Sequence, residues 1–245
     1  MSPKDFSKFK TVATKAPSSI SKEEAFERCK FLYSKIDGFQ NMLSANPSFG
    51  IIILFQGMDA SGKDGAIRKL ASQLNPQGFN VTSFKAPTQE ELNHDFLWRI
   101  HAKTPEKGKI SFFNRSHYED ILITKVHDLI SEKTYKERIE HINNFEKLLT
   151  ENNTVLIKFF LDISKEEQRE RLDERINTPE KNWKYNAEDE IERKLWNKYE
   201  KIYDDIFDKC NTQYAPWYCV PADNKWYRDL VIAEIIYDIL KQKFD

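Results

Sequence analysis

Short runs of β-branched and aromatic residues alternate with stretches of helical periodicity along most of the chain. The runs lie at 51–56, 80–84, 110–113, 154–161 and 216–220, and helical patterns fall near 64–75, 89–101, 116–126, 132–151 and 187–209. Strands that alternate with helices in this way imply a parallel sheet. The stretch Thr154 to Leu161 is almost continuously apolar, as a strand covered by helices on both faces must be. The expected fold is therefore α/β: a three-layer sandwich around a five-stranded parallel sheet. Ahead of it, Ser21-Lys22-Glu23-Glu24 reads as a capping box that opens a helix ending near Ala45, before Pro47 and Gly50. Trp226 to Phe244 reads as a closing helix, with Leu230, Val231, Ile235, Ile236 and Ile239 on its buried side. Residues 21–245 are expected to form one domain with a lid at about 165–190, preceded by a flexible basic arm at 1–20 that carries Lys4, Lys8, Lys10 and Lys15.

The first apolar run leads directly into Gly57-Met58-Asp59-Ala60-Ser61-Gly62-Lys63-Asp64-Gly65. Gly57, Gly62 and Lys63 fit the G-x-x-x-x-G-K spacing of a phosphate-binding loop, whose successive backbone N–H groups form a concave anion site. The helix that follows adds its positive dipole end, and Lys63 adds a mobile full charge. Three of the chain's seven glycines fall within these nine residues, more than an ordinary strand-to-helix turn requires. Asp64 stands where the usual loop has a Ser or Thr hydroxyl for magnesium, so this is not a standard nucleotide-hydrolase loop.

Composition narrows the setting. With 38 basic against 39 acidic residues the net charge is −1, so no whole-molecule field steers a polyanion such as a nucleic acid, and attraction must be local. Cys29, Cys210 and Cys219 form no disulfide framework or zinc pattern. No apolar run approaches the roughly 20 residues that cross a bilayer. A cytoplasmic protein with no membrane partner is expected.

In open parallel sheets ligands sit beyond the carboxyl ends of the strands. That rule selects the loop, the segment Asn114-Arg115-Ser116-His117-Tyr118-Glu119-Asp120, and Asp162 with the arginine-rich stretch after it. Asp59 inside an anion-binding loop would repel its ligand unless a bridging Mg²⁺ intervened; a metal ligand or base, and a turn aspartate, are both open readings. Arg115 should project into the crevice, where a guanidinium grips phosphate oxygens bidentately, or pair with Glu119 or Asp120. Glu119 and Asp120 are candidate metal groups, or acids favoured by a helix start. His117 reads as structural. Arg171 and Arg175, four apart, share a helical face that leads into a polar, proline-broken lid at 176–185; Arg171 could equally pair with Glu167. Trp183 and Tyr185 carry no assignment.

Taken together, Gly57-x-Asp59-x-x-Gly62-Lys63-x-Gly65, Asn114-Arg115-Ser116-His117-Tyr118-Glu119-Asp120, and Arg171 and Arg175 ahead of Pro179-x-Lys181-x-Trp183-Lys184 resemble the polyphosphate kinase 2 family over about residues 20 to 240. The resemblance implies a P-loop kinase-like fold with a lid, Mg²⁺ (with Mn²⁺ as substitute), and a homo-oligomer, dimer or tetramer. It implies reversible transfer of the terminal phosphate of inorganic polyphosphate to AMP or ADP, with ATP and guanine nucleotides as further partners. On this resemblance Asp59, Lys63, Arg115, Arg171 and Arg175 are catalytic. Gly57, Ala60, Ser61, Gly62, Asp64, Gly65 and Arg68 line the phosphate path; Asn114, Glu119, Lys181 and Lys184 serve the nucleotide or lid; Asp59, Glu119 and Asp120 hold metal. Asn114 stands where a Walker B-like aspartate is often found, which weakens any metal role there. The Asn-Arg-Ser-His-Tyr-Glu-Asp wording resembles the branch that phosphorylates both AMP and ADP. An ATP-dependent nucleotide kinase of the thymidylate kinase-like type would be expected to keep Ser or Thr after Lys63. A non-enzymatic nucleotide-binding module would not need Asp59, Arg115 and the lid arginines together.

Overall fold

A computed structural model describes residues 13–178 and 188–244. In chain order the elements are α1 (Lys22–Ala45), β1 (Gly50–Gln56), α2 (Lys63–Ala71), a single 3₁₀ turn (Pro76–Gly78), β2 (Phe79–Ser83), α3 (Gln89–Leu92), α4 (Trp98–His101), β3 (Ile110–Asn114), α5 (Glu119–Val126), α6 (Glu132–Glu151), β4 (Thr154–Asp162), α7 (Lys165–Asn177), α8 (Glu188–Lys194), α9 (Trp196–Cys210), β5 (Trp217–Pro221) and α10 (Lys225–Phe244). The five strands form one sheet in the order β2-β3-β1-β4-β5, and every pairing is parallel.

The apolar runs explain this order. β1 is buried along its whole length and lies in the middle, with Ile53 beside Phe112 of β3 and Ile157 of β4. β2 is half exposed, and it takes an edge. One helical layer contains α1, α10 and α2; the other contains α5, α6 and α9. Alternate residues of β4 serve the two layers: Phe160 packs its ring on Tyr203 and Phe207 of α9, whereas Phe159 stacks with Phe55 on the opposite side. The three-layer α/β fold and its strands thus match the sequence pattern to within about a residue.

Helix ends differ from the expectation where polar side chains compete for the backbone. The pattern at 89–101 is two single turns, α3 and α4: Thr88 and Glu91 form a capping box, and Asp95 accepts the Leu97 N–H at 3.0 Å, which restarts the chain. The helix expected from 116 begins at Glu119, because Asn114 to Tyr118 are needed for a loop in which Arg115 has φ 63°. The pattern at 187–209 breaks at Leu195, a break with no side-chain cap. Of the N-terminal arm, residues 1–12 lie outside the described residues. Its continuation is pinned rather than free: Thr14 Oγ1 donates to Asp223 Oδ2 (2.8 Å), and Ala16 N donates to Asn224 Oδ1 (2.8 Å).

Between β4 and the α6/α9 layer lies a fully buried ion pair. Lys158 Nζ donates to Glu146 Oε2 at 2.6 Å, to Tyr118 Oη at 2.9 Å and to Cys210 O at 2.9 Å; Tyr118 Oη and His117 Nε2 reach Glu146 Oε1 at 2.8 and 3.1 Å. Burial raises the pKa of the Glu146 carboxyl, but Lys158 and His117 outweigh it and hold the group below its ordinary range. Removing only one partner of such a pair leaves a buried charge without compensation. Lys158→Met is therefore expected to lower the unfolding free energy by about 3–5 kcal/mol, and adding Glu146→Gln to recover much of it. Urea denaturation of the single and double variants measures this; equal losses in both would contradict it.

Candidate active site

β1 ends at Gln56, and the chain turns through Gly57 to Gly62 into α2 at the carboxyl edge of the sheet. Two glycines are required by space as well as conformation. Gly57 has φ 146°, and a Cβ there would lie 2.7 Å from Leu161 O; Gly62 has φ 101°, and its Cβ would lie 2.4 Å from Arg228 Nη1. Ala60 also sits at positive φ, 60°, a conformation that costs a residue with a side chain of order 1 kcal/mol. Lys63 opens α2 and is nine-tenths buried, its Nζ donating to Gly57 O (2.7 Å) and Met58 O (3.1 Å). Burial, reinforced by the Arg115 charge, pulls its pKa down to about 8, while Asp59 and Glu119 oppose the shift.

Above the loop is a cleft of about 490 Å³. Asp59, Lys63, Asn114, Arg115, Arg171 and Arg175 all line it, with Ala60, Gly62, Asp64 and Gly65 of the loop, so most of the candidates from separate motifs converge. Its cations, joined by Lys225 and Arg228, outnumber the carboxylates of Asp59, Asp64, Glu174 and Asp189. Arg115 Nη2 donates to Asp59 Oδ1 at 3.0 Å, and Arg115 Nη1 lies 3.8 Å from Glu119 Oε2. A second pocket with room for about 30 Å³, little more than an ion or a water, shares Asp59, Arg115 and Asp189 with the cleft and adds Gly57, Glu119, Trp196 and Tyr203. Burial raises the Glu119 pKa, against the charges of Arg115 and Lys63.

Several expected residues sit differently. Asp120 turns away from both pockets to Arg99, whose Nη2 donates to Asp120 Oδ2 at 3.2 Å, so a metal role for it finds no support in its placement. The reason is local: Asp120 follows Glu119 on α5, and only one of two consecutive helical residues can face the cleft. Arg171 is in place but its donors are occupied, Nε on Glu167 Oε1 (2.8 Å), Nη1 on Ala60 O and Ser61 O (both 3.0 Å), and Nη2 on Ala222 O (2.6 Å) and Asp223 O (3.0 Å). The Glu167 pairing and the site position thus coexist. Arg175 Nη1 donates to Asp189 Oδ2 at 2.9 Å. Ser61 is fully buried, with its Oγ lacking a hydrogen-bond partner among the described residues. Arg68 is exposed on α2, one turn beyond Asp64 and outside the cleft lining. Lys181, Lys184, Trp183 and Tyr185 lie outside the described residues. Among the described residues no group of three His, Cys, Asp or Glu could hold a metal ion unaided.

Sequence reasoning missed Gln168, Asp189, Lys225 and Arg228. Only Lys225 and Arg228 left a signal, since they begin the helix after the fifth strand and so stand at the carboxyl edge of the sheet.

This loop, sheet and arginine set define a P-loop kinase-like protein. A family model described as Polyphosphate kinase 2 (PPK2) matches residues 19–244. The chain is 41% identical over 220 residues, 90% of its own length and 82% of the relative's, to an AMP/ADP-polyphosphate phosphotransferase of Meiothermus ruber. It is 40% identical over 237 residues, 92% of its length and 82% of the relative's, to an ADP-polyphosphate phosphotransferase of Rhodopseudomonas palustris. Among solved structures, a polyphosphate kinase 2 from Arthrobacter aurescens superposes with a TM-score of 0.92 at 36% identity, covering 96% of this chain and 85% of that one. The chain belongs to the polyphosphate kinase 2 family.

The glycine geometry gives a paired test. Gly62→Ala forces a side chain into a left-handed conformation and onto Arg228, and is expected to cost more than about 1–2 kcal/mol of stability. Gly65→Ala meets Arg228 only at 3.8 Å, and within α2 it should be neutral or stabilising by about 0.4–1 kcal/mol. Chemical denaturation distinguishes them; equal stabilities would be the contrary result.

Proposed function

We propose that this protein transfers the terminal phosphate of inorganic polyphosphate to AMP and ADP, reversibly. The observation that carries this reading is the convergence of the phosphate loop, Lys63, Arg115 and the α7 arginines on one cleft whose cations exceed its carboxylates. Phosphoryl transfer needs in-line positioning and neutralised phosphoryl oxygens rather than a covalent nucleophile. The loop N–H groups and the N-terminus of α2 hold the donor's terminal phosphates. Lys63, close to its own loop's carbonyls, is placed to bind a bridging or terminal oxygen. Arg115, at the junction of the two pockets, grips the transferring group, and Arg175 adds charge from the lid side. Arg171 contributes its charge and the shape of the loop. Asp64 in place of a Ser or Thr hydroxyl disfavours the ATP-dependent alternative.

Asp59 and Glu119 fit a divalent cation. Both line the small pocket, and Mg²⁺ needs only one or two carboxylates besides waters and phosphate oxygens, so a three-residue cage is not required. When bound, Mg²⁺, or Mn²⁺ in its place, would neutralise charge on the phosphates that the loop holds. Guanine nucleotides as further acceptors and a dimeric or tetrameric assembly belong to the same proposal. So does a cytoplasmic setting, which the free Cys29, Cys210 and Cys219 suit. No described helix is long and apolar enough to cross a membrane.

Purified protein incubated with Mg²⁺, AMP or ADP, and either polyphosphate or ATP is expected to make ADP and ATP from polyphosphate, resolved by chromatography. No such product would sink the proposal. Lys63→Ala and Asp59→Asn should each reduce turnover by about 10²–10³-fold with the fold retained. With the Lys63 pKa near 8, its ammonium is lost as pH rises, so kcat/KM should fall above about pH 8. A kcat/KM that stays level to pH 9.5 would remove Lys63's charge from the mechanism.

A further inference from the structure

Every carbonyl of the phosphate loop from Gly57 to Gly62 accepts a hydrogen bond from a side chain. Lys63 takes Gly57 O and Met58 O, the latter shared with the Ser61 N–H; Gln168 Nε2 takes Asp59 O at 2.9 Å; Arg171 takes Ala60 O and Ser61 O; Arg228 Nη1 takes Gly62 O at 3.2 Å, beside the Ala66 N–H of α2. The last three come from helices 109, 111 and 166 residues away in sequence. A peptide group is planar, so fixing its C=O in one direction fixes the next N–H in the opposite one. We propose that Gln168 and Arg228 are positioning residues for polyphosphate binding, which hold the loop's peptide planes so that the N–H groups not used within the loop converge on the donor phosphates.

Both side chains are poor choices for packing alone. Gln168 is 3% exposed and its Oε1 has no hydrogen-bond partner among the described residues. Burying an amide with half its capacity unmet is unfavourable, so the bond to Asp59 O is what the residue supplies. Arg228, also 3% exposed, is aimed by Asp229, whose Oδ1 accepts its Nε (2.9 Å) and Nη2 (2.6 Å) and leaves Nη1 for the loop. Its guanidinium fills the space that any side chain at position 62 would take. Arg228 therefore places a full positive charge against the wall of the anion site, in addition to orienting one of its peptides.

The inference rests on the proposed function only in naming polyphosphate; the orientation concerns any chain of phosphates. Two variants test it. Arg228→Met with Asp229→Asn removes the guanidinium without leaving its carboxylate buried and unpaired, and Gln168→Leu removes the amide at similar volume. Inorganic tripolyphosphate and AMP are titrated separately into wild type and variants by calorimetry, alongside melting temperatures and steady-state kinetics. Tripolyphosphate affinity is expected to fall about tenfold in the first variant and several-fold in the second, KM for polyphosphate to rise in parallel, and AMP affinity to stay within about twofold. Folded variants that bind tripolyphosphate like wild type would overturn the inference, as would parallel loss of both ligands with melting temperature. If the position 228 variant does not fold, Gln168→Leu decides. Wild type that binds tripolyphosphate but makes no product from polyphosphate would refute the functional reading and leave the binding comparison standing.

Discussion

The constraint on which the site depends is that six consecutive loop carbonyls, those of Gly57 to Gly62, are each held by a side chain. Left to itself, a loop at the edge of a sheet satisfies its carbonyls and amides haphazardly, with water or neighbouring turns. Here the carbonyls are each met by a cation or an amide from α2, α7 or α10, while within the loop the Ser61 N–H closes a turn on Met58 O. That demand accounts for features which otherwise look unrelated: buried arginines, positive φ at Gly57, Ala60 and Gly62, and a lysine folded back on its own loop. It also makes the sheet order consequential. β1 must be central, with α7 following β4 and α10 following β5 on the same side of the switch point, for the three helices to reach one loop.

Crowding cations around an anion site has an electrostatic cost, and carboxylates in and beside the cleft offset it. Asp59 takes Arg115, Glu167 takes Arg171, Asp189 takes Arg175 and Asp229 takes Arg228. The pKa of Lys63 is lowered because burial and Arg115 together exceed the pull of Asp59 and Glu119. A phosphate entering the cleft would supply the missing negative charge. This local balance lets a chain of net charge −1 hold a strongly anionic ligand without a basic surface overall.

The second motif is held from beneath. Arg115 stands at φ 63°, with its N–H on Phe55 O at 3.0 Å, and two residues later His117 and Tyr118 enter the buried pair of Lys158 and Glu146. Strain in Arg115 is thereby anchored between the central strand and a fully buried polar network. The Nε2 of His117 is committed to Glu146.

The strands, their parallel arrangement and the three layers were legible because burial on both faces demands near-continuous apolar runs, as in β4. The phosphate loop was legible because glycine spacing and a lysine at a strand-to-helix turn have few other uses. What spacing could not show was direction. Glu119 and Asp120 are equivalent in sequence, yet one lines the small pocket and the other pairs with Arg99, a partner brought from a segment 21 residues earlier. Arg171 was legible as an arginine near the site, but not as one whose donors are bound to backbone carbonyls of two loops. Gln168 was invisible, since an amide on an ordinary helix carries no pattern, and Arg228 showed only its place at the carboxyl edge of the sheet, not its bond to the loop. The sequence by itself determined the elements and the anion-binding loop, through local periodicity and backbone freedom. Only the tertiary structure decided which helices grip the loop, because those bonds join residues more than a hundred positions apart.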